Sequence, residues 1–199
     1  MTGYRASYEP AMRLALEQAE AGLTEVGKSE IGVSENGLPE AGLPEAGLPE
    51  AGRPENGLPE AGPRQAPAAE VPVGAVVLGP DGSVLATGHN RREADADPTA
   101  HAEIVALREA GRAAGSWRLE GCTLVVTLEP CTMCAGAVLA ARLRRLVYGA
   151  ADARAGAAGS LWDVLHDRRL GPPPEVITGV LADDCAALLR DFFAQLRGT

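Results

Sequence analysis

The sequence lacks the long apolar run of a membrane protein and the leader pattern of a secreted one. No stretch approaches the roughly 18 consecutive apolar residues of a membrane span, and no basic segment followed by an apolar one stands at the N-terminus. These absences predict a protein of the cytoplasm without membrane contact. In that reducing compartment, a pair among its four cysteines is more typical of metal binding or redox chemistry than of a structural disulfide.

The net charge of −9 is concentrated in one segment of the chain. Residues 23–70 hold nine glutamates against Lys28, Arg53 and Arg64, a balance of −6, which leaves −3 for all other residues. Local charge decides nucleic-acid binding more than the total does. The acidic composition therefore does not exclude an anionic partner for the rest of the chain.

The acidic segment is also a low-complexity repeat. Residues 36–62 read NGLPEAGLPEAGLPEAGRPENGLPEAG, with a period of five. Proline and glycine in every unit forbid a continuous helix and interrupt a central strand. We therefore predict that residues 23–70 are a disordered insertion. It follows a first helix in residues 1–22, with Gly22 as the stop, and precedes the rest of the domain in residues 71–199.

Outside the repeat, strand and helix patterns alternate. A GPDG turn joins two β-branched runs, and one helix is predicted from about His101 to Gly111, with Thr99 as its N-cap. A second helix begins at Pro130, after the apolar strand CTLVVTLE. The remaining segments predict two strands, a short helix and a final helix: RRLVYGA, EVITGVL, LWDVLHD and ADDCAALLRDFFAQLRG. This order predicts an α/β fold with a mostly parallel region after an opening hairpin.

Two short segments, HAE and PCTMC, carry the chemistry. Residues i and i+3 at a helix start lie on one face, so Cys131 and Cys134 can direct both sulfur atoms to one point. His101 adds a third ligand, and three protein ligands with an open fourth position are typical of a catalytic zinc. Glu103 suits a proton carrier rather than a ligand, because helical residues two apart point about 200° away from each other.

Alternatives to a catalytic zinc stay open at this point. A Cys-x-x-Cys pair alone fits a metal site, a redox pair or chance equally well. A fourth protein ligand would indicate a structural zinc, and a metal-free dithiol would indicate a redox module, either of which could bind RNA. The candidates for a fourth ligand are His89, His166, Cys122 and Cys185.

His-x-Glu followed by Pro-Cys-x-x-Cys is the known signature of zinc-dependent nucleobase deaminases. Several further segments resemble the bacterial tRNA-specific adenosine deaminases: EVPVGAVV, GHNR, DPTAHAEIVALR, TLEPCTMCAGA, DARAGAAGSLWDVLH and GVLADDCAALLRDFF. With the first helix, the resemblance covers nearly all of residues 4–22 and 70–197. The repeat matches nothing in that pattern.

The resemblance implies a three-layer α/β/α cytidine deaminase-like fold with a central mixed five-stranded sheet, and a homodimer. One zinc ion per subunit would be held by His101, Cys131 and Cys134, with Glu103 carrying protons. The implied reaction is hydrolytic deamination of adenosine to inosine at the wobble position of tRNA, within the anticodon stem-loop. The implied substrate-binding positions are Asn90, the backbone near Pro72, Ala102, Leu128 and Asp152.

Two details differ from the family pattern, and one alternative activity remains. The chain reads Asp-Ala-Arg-Ala from Asp152 where relatives often read Asp-Ala-Lys-Thr, and the tail after Phe193 holds only Arg197 as a basic residue. Both details bear on how strongly the chain binds tRNA and not on the deamination reaction. The alternative is a deaminase of a free base, nucleoside or nucleotide, of the cytosine, guanine or deoxycytidylate type. The TLEPCTMCAGA and GAAGSLWDVLH contexts favour the RNA enzyme.

Overall fold

The computed structural model describes residues 2–25 and 69–197. Most of the predicted insertion therefore lies outside the described residues. In chain order the elements are α1 (Thr2–Ala6), α2 (Glu9–Glu25), β1 (Gly74–Leu78), β2 (Val84–His89), α3 (Ala102–Ala114), β3 (Thr123–Leu128), α4 (Thr132–Ala140), β4 (Arg145–Ala150), β5 (Glu175–Thr178) and α5 (Ala182–Arg197).

The five strands form one mixed sheet in the order β2-β1-β3-β4-β5. Strand β1 is antiparallel to both β2 and β3, whereas β3, β4 and β5 run parallel. The β1–β2 hairpin turns through GPDG, where Gly82 has a φ of 83°, a conformation that L side chains rarely adopt. The predicted hairpin, the parallel region and the mixed five-stranded sheet are confirmed.

Helices cover both faces of this sheet. Successive residues of a strand point to opposite faces. Val76 and Val125 therefore pack with α2 and α5 on one face, while Val77 and Val126 pack with α3 and α4 on the other. Each fully buried valine contributes about 1.5–3 kcal/mol through burial. The predicted three-layer α/β/α fold is confirmed, and the two helices of the HAE and PCTMC segments share one layer.

Glycine allows α2 to lie directly against the sheet. A Cβ on Gly74 would come within 1.9 Å of the Ala15 carbonyl oxygen, so a larger residue cannot occupy this position of β1. Helix α2 also continues to Glu25, three residues beyond the predicted stop at Gly22. Gly22 instead admits the ring of His89, because a Cβ there would lie 3.0 Å from His89 Cδ2.

Three further local predictions were wrong. The N-cap of α3 is His101 rather than Thr99, whose N–H and hydroxyl both donate to Asp97 Oδ1, and the helix continues past Gly111 to Ala114. The segment LWDVLHD is not a helix. Its Asp163 instead forms an isolated bridge with Ala158 of the preceding glycine-rich loop. Among the described residues, no helix has the length and apolar character needed to cross a membrane.

Candidate active site

His101 reaches the site because it lies at the start of α3. Its backbone is extended, with φ −70° and ψ 152°, and its carbonyl oxygen accepts the Val105 N–H at 2.9 Å. Its side chain makes no capping hydrogen bond, unlike the usual serine, threonine or aspartate at this position. The imidazole is therefore free to bind elsewhere.

Cys131 occupies the equivalent position in α4. Its backbone is also extended, with φ −72° and ψ 177°, and its side chain makes no capping hydrogen bond. Cys131 follows the C-terminal end of β3, after Glu129 and Pro130. Cys134 lies in the first turn of α4 and has no exposed surface. The predicted placement of both sulfur atoms at one helix start is borne out by these positions.

The three side chains converge on one point. His101 Nδ1 lies 3.7 Å from Cys131 Sγ and 3.6 Å from Cys134 Sγ, and all three donor atoms lie within 4.8 Å of one another. Tetrahedral zinc with bonds of about 2.3 Å to sulfur and about 2.0 Å to nitrogen separates these ligands by about 3.5 Å. The donors therefore fit zinc. Within the described residues, none of the fourth-ligand candidates His89, His166, Cys122 and Cys185 joins the cluster.

The three donors also form hydrogen bonds with one another. The hydrogen bond from Cys134, with a further one from His101, lowers the pKa of the Cys131 thiol well below its usual value. The pKa of Cys134 is raised, because it holds the proton that it shares with Cys131 and because it is buried. The hydrogen bond to Cys131 raises the pKa of His101. A metal ion bound by the same three side chains takes the place of the proton that the two cysteines share.

Glu103 is buried, with 4 % of its surface exposed, although glutamates in a first helical turn usually face solvent. Burial raises the pKa of its carboxyl group above the ordinary value. A carboxyl group with a raised pKa can both accept and return a proton near neutral pH. Because it lies beside the metal-binding residues, it is suited to proton transfer at the same site.

A cavity of about 150 Å³ adjoins the cluster and is lined by His101, Glu103 and Cys131. It is smaller than the roughly 300–1,000 Å³ of pockets for drug-sized ligands, and suits a single base. The sequence-predicted substrate residues on its wall are Asn90, Ala102, Leu128 and Asp152. Pro72 does not line it, although both of its neighbours in the chain, Val71 and Val73, do.

A larger groove of about 600 Å³ lies on the outer faces of α3 and α4. No histidine, cysteine or carboxylate lines it, so it cannot perform the same chemistry. The smaller cavity is therefore the candidate active site.

Sequence reasoning missed two buried carboxylates beside the cavity, Glu70 and Glu129, each 2 % exposed. Glu129 accepts the N–H groups of Asp152, Ala158 and Ser160, each at 3.0 Å, together with the Ser160 hydroxyl. It therefore holds the loop that carries Asp152.

Neither carboxylate had a sequence signal of its own. Glu70 falls at the end of the predicted insertion, yet it is packed into the folded domain and bonds to Asn90. Glu129 follows an apolar strand, where its burial depends on loop residues about 23 to 31 positions later. Gly156 is an indirect sign that Glu129 is buried, because a Cβ at position 156 would lie 2.5 Å from Glu129 Cδ.

Comparison with known proteins agrees with this site. Residues 58–150 match the family model described as the cytidine and deoxycytidylate deaminase zinc-binding region. The chain is 47% identical over 121 residues to the tRNA-specific adenosine deaminase of Bacillus subtilis, which covers 61% of this chain and 75% of that protein. It is also 54% identical over 124 residues to a tRNA(Ile)-lysidine synthase of Deinococcus deserti, covering 62% of this chain but spanning only 23% of that longer protein.

Solved structures give the same relationship. A structure from studies of A-to-I editing by tRNA:A34 deaminases has a TM-score of 0.58 and 45% identity, covering 60% of this chain and 86% of that one. A guanine deaminase from Nitrosomonas europaea has a TM-score of 0.55 and 30% identity, covering 63% and 74%. Given its zinc-binding donors, its three-layer fold and 47% identity across three quarters of a curated member, the chain belongs to the family of tRNA-specific adenosine deaminases.

Proposed function

We propose that this protein is a zinc-dependent hydrolase of a cyclic amidine C–N bond that converts the wobble adenosine of tRNA to inosine. One observation carries the proposal. The three-donor cluster and the buried Glu103 meet at a base-sized cavity, in a chain 45% identical to a structure from studies of tRNA:A34 deaminases. The enzyme acts in the cytoplasm, with tRNA as its partner.

His101, Cys131 and Cys134 hold one zinc ion per subunit in this proposal. Zinc bound there supplies a Lewis acid that makes water nucleophilic near neutral pH. Glu103 takes one proton from the attacking water and delivers it to N1 of adenine, then takes the proton of the new C6 hydroxyl group and passes it to the departing N6 amine. The C6–N6 bond breaks, ammonia leaves and inosine remains, so water is the only co-reactant.

The cavity wall supplies contacts to the substrate. Leu128 and Ala102 provide apolar surface for the base, and the Asn90 amide provides hydrogen-bonding groups. The Asp152 loop and the backbone on either side of Pro72 complete the proposed binding surface. Arg92 also lines the cavity, and its positive charge suits a substrate that carries phosphodiesters.

A direct experiment separates this function from its alternative. The purified protein is incubated with an anticodon stem-loop that has adenine at the wobble position, and inosine is scored by sequencing. Free guanine, cytosine, cytidine and deoxycytidylate are assayed in parallel for ammonia release. Inosine in the stem-loop supports the proposal. Turnover of a free base or nucleotide, with the stem-loop unchanged, would establish the alternative.

We further propose that two copies of the chain associate through the groove on α3 and α4. Ile104, Ala137 and Ala140 line it together with Trp117, which is 63 % exposed. An exposed tryptophan beside small apolar helix residues is typical of an interface that excludes water. A second copy of the same surface would cover these side chains.

Trp117→Glu is expected to convert the dimer to a monomer, because it places a charge in the apolar groove. The mass in solution is measured by light scattering across a range of concentrations. Val84→Glu is the matched control, since Val84 is 51 % exposed but lies outside the groove. A Trp117→Glu variant that remains as dimeric as the control would contradict this interface.

We also propose that the repeat is an insertion which the chemistry does not need. Its flanks are anchored close together: Gly22 packs against His89, and Glu70 bonds to the next residue, Asn90. A ten-residue Gly-Ser linker, which can reach about 33 Å, can therefore replace residues 26–68.

This replacement is expected to leave the editing rate within about three-fold of the wild type. Shortening the connection lowers the entropy cost of closing it and stabilises the domain by about 1 kcal/mol. Initial rates on the stem-loop and the thermal midpoint are measured for both proteins. A ten-fold fall in rate, or loss of zinc, would show that the repeat has a functional role.

A further inference from the structure

Glu70 lies directly behind the wall of the active-site cavity. Its Oε1 accepts the backbone N–H groups of Glu93 and Ala94, at 2.7 and 2.9 Å, and its Oε2 accepts Asn90 Nδ2 at 3.1 Å. The side chain is 2 % exposed, so its carboxylate depends on these donors in place of water. Glu70 thus joins the strand end that carries Asn90 to the loop that follows it.

The chemistry of this contact fixes the Asn90 amide. An ionised carboxylate can only accept hydrogen bonds, whereas an amide can turn over and offer either its nitrogen or its oxygen. The nitrogen of Asn90 must therefore face Glu70, and the oxygen, on the other branch of the planar amide group, must point away from it. The backbone of Asn90 is held as well, since its N–H donates to the Val73 carbonyl oxygen at 3.0 Å.

Asn90 is 8 % exposed and lines the cavity, so the orientation of its amide decides which hydrogen-bonding groups the substrate meets. We propose that Glu70 is a positioning residue that sets the orientation of the Asn90 amide, and thereby the hydrogen-bonding polarity of the cavity wall. This inference rests on the proposed function, in which Asn90 binds the target nucleotide. It gives a buried glutamate, placed 31 residues before the first zinc ligand, a role in substrate selection.

Glu70→Gln tests this role because it replaces one carboxylate oxygen with an NH₂ group. The introduced side chain has the same shape, and its single oxygen can keep both bonds to Glu93 and Ala94. Its NH₂ group then faces Asn90, which must turn over to offer its oxygen. The turned Asn90 amide would then face the substrate with its donor and acceptor exchanged. One such mismatch at a buried contact lowers substrate affinity by about 10- to 100-fold.

We therefore expect kcat/KM for the anticodon stem-loop to fall about 10- to 100-fold in Glu70→Gln. Zinc content should stay at the wild-type level, because Glu70 bonds to Asn90, Glu93 and Ala94 and is not one of the three metal-binding side chains. A rate within two-fold of the wild type would overturn the proposal. A wild-type protein that forms no inosine would instead reject the proposed function itself, so the two failures are distinguishable.

Two double variants separate positioning from support of the fold. Because Glu70 acts through Asn90, Glu70→Gln should change the rate of an Asn90→Ala protein by less than two-fold. An additional fall as large as that in the wild type would show that Glu70 acts independently of Asn90, and would overturn the proposal.

The second double variant combines Glu70→Gln with Asn90→Asp and covers the case in which Glu70→Gln alone folds poorly. It restores a hydrogen bond between the two side chains with donor and acceptor exchanged, so the thermal midpoint should recover while the rate stays low. Recovery of both stability and rate would reduce Glu70 to a structural support and overturn the proposal.

Discussion

Replacing Glu103 with alanine is expected to lower inosine formation by about 10³-fold or more while zinc and fold remain. Glu103 is the buried carboxyl group with a raised pKa beside the metal-binding residues. The two other carboxylates that line the cavity already accept hydrogen bonds. The Glu129 carboxylate is occupied by loop N–H groups and a hydroxyl, and Asp152 Oδ1 accepts the N–H groups of Arg154 and Ala155.

The measurement is a single-turnover assay on the stem-loop, combined with metal analysis of the same preparation. Glu109→Ala is the matched control, because Glu109 lies on the same helix but is paired with Arg112 on the exposed surface. Glu103→Gln should lose as much activity as Glu103→Ala, since an amide keeps the volume but cannot carry the proton. Activity close to the wild type in Glu103→Ala would remove Glu103 from the mechanism.

Replacing Cys131 with serine is expected to abolish stable zinc binding and to lower the rate by at least about 10³-fold. Serine at this position should not harm the helix, because Cys131 is the N-cap of α4 and serine is a preferred N-cap residue. The loss of activity can therefore be assigned to the metal rather than to unfolding. Zinc is measured after dialysis against a chelator, with the thermal midpoint recorded alongside.

Cys122→Ser is the control for this substitution. Cys122 is a buried cysteine that does not belong to the three-donor cluster. Its variant should keep zinc and a rate within a few-fold of the wild type. Full zinc occupancy in Cys131→Ser would mean that other side chains hold the ion, and would contradict the proposed ligand set.

The features that could be predicted from the sequence are those with local signals. The GPDG turn between two β-branched runs specified the hairpin, and the apolar run after Cys122 specified the central strand β3. PCTMC lies at a helix start, so local geometry sufficed to predict that Cys131 and Cys134 share one face, whereas adding His101 as a third ligand rested on the family signature.

The remaining features depend on contacts between distant parts of the chain. Thr99 has the side chain of an N-cap, but it bonds to Asp97 in a turn, and the N-cap lies two residues later at His101. LWDVLHD has helical periodicity, yet the Trp162 N–H donates to the Gly156 carbonyl oxygen and holds the segment against the preceding loop. Glutamate propensities likewise predict exposure for Glu70, whose burial requires donors 20 to 24 residues later.

The starts of α3 and α4 also have a consequence for protein engineering. At each, the residue that could satisfy the free N–H groups of the first turn is instead a histidine or a cysteine that makes no capping bond. A side-chain cap contributes about 1 kcal/mol, so each of these helices is less stable than it would be with a capping residue at that position. Selection for thermostability alone would favour serine or aspartate at positions 101 and 131, and the resulting proteins would be more robust and inactive.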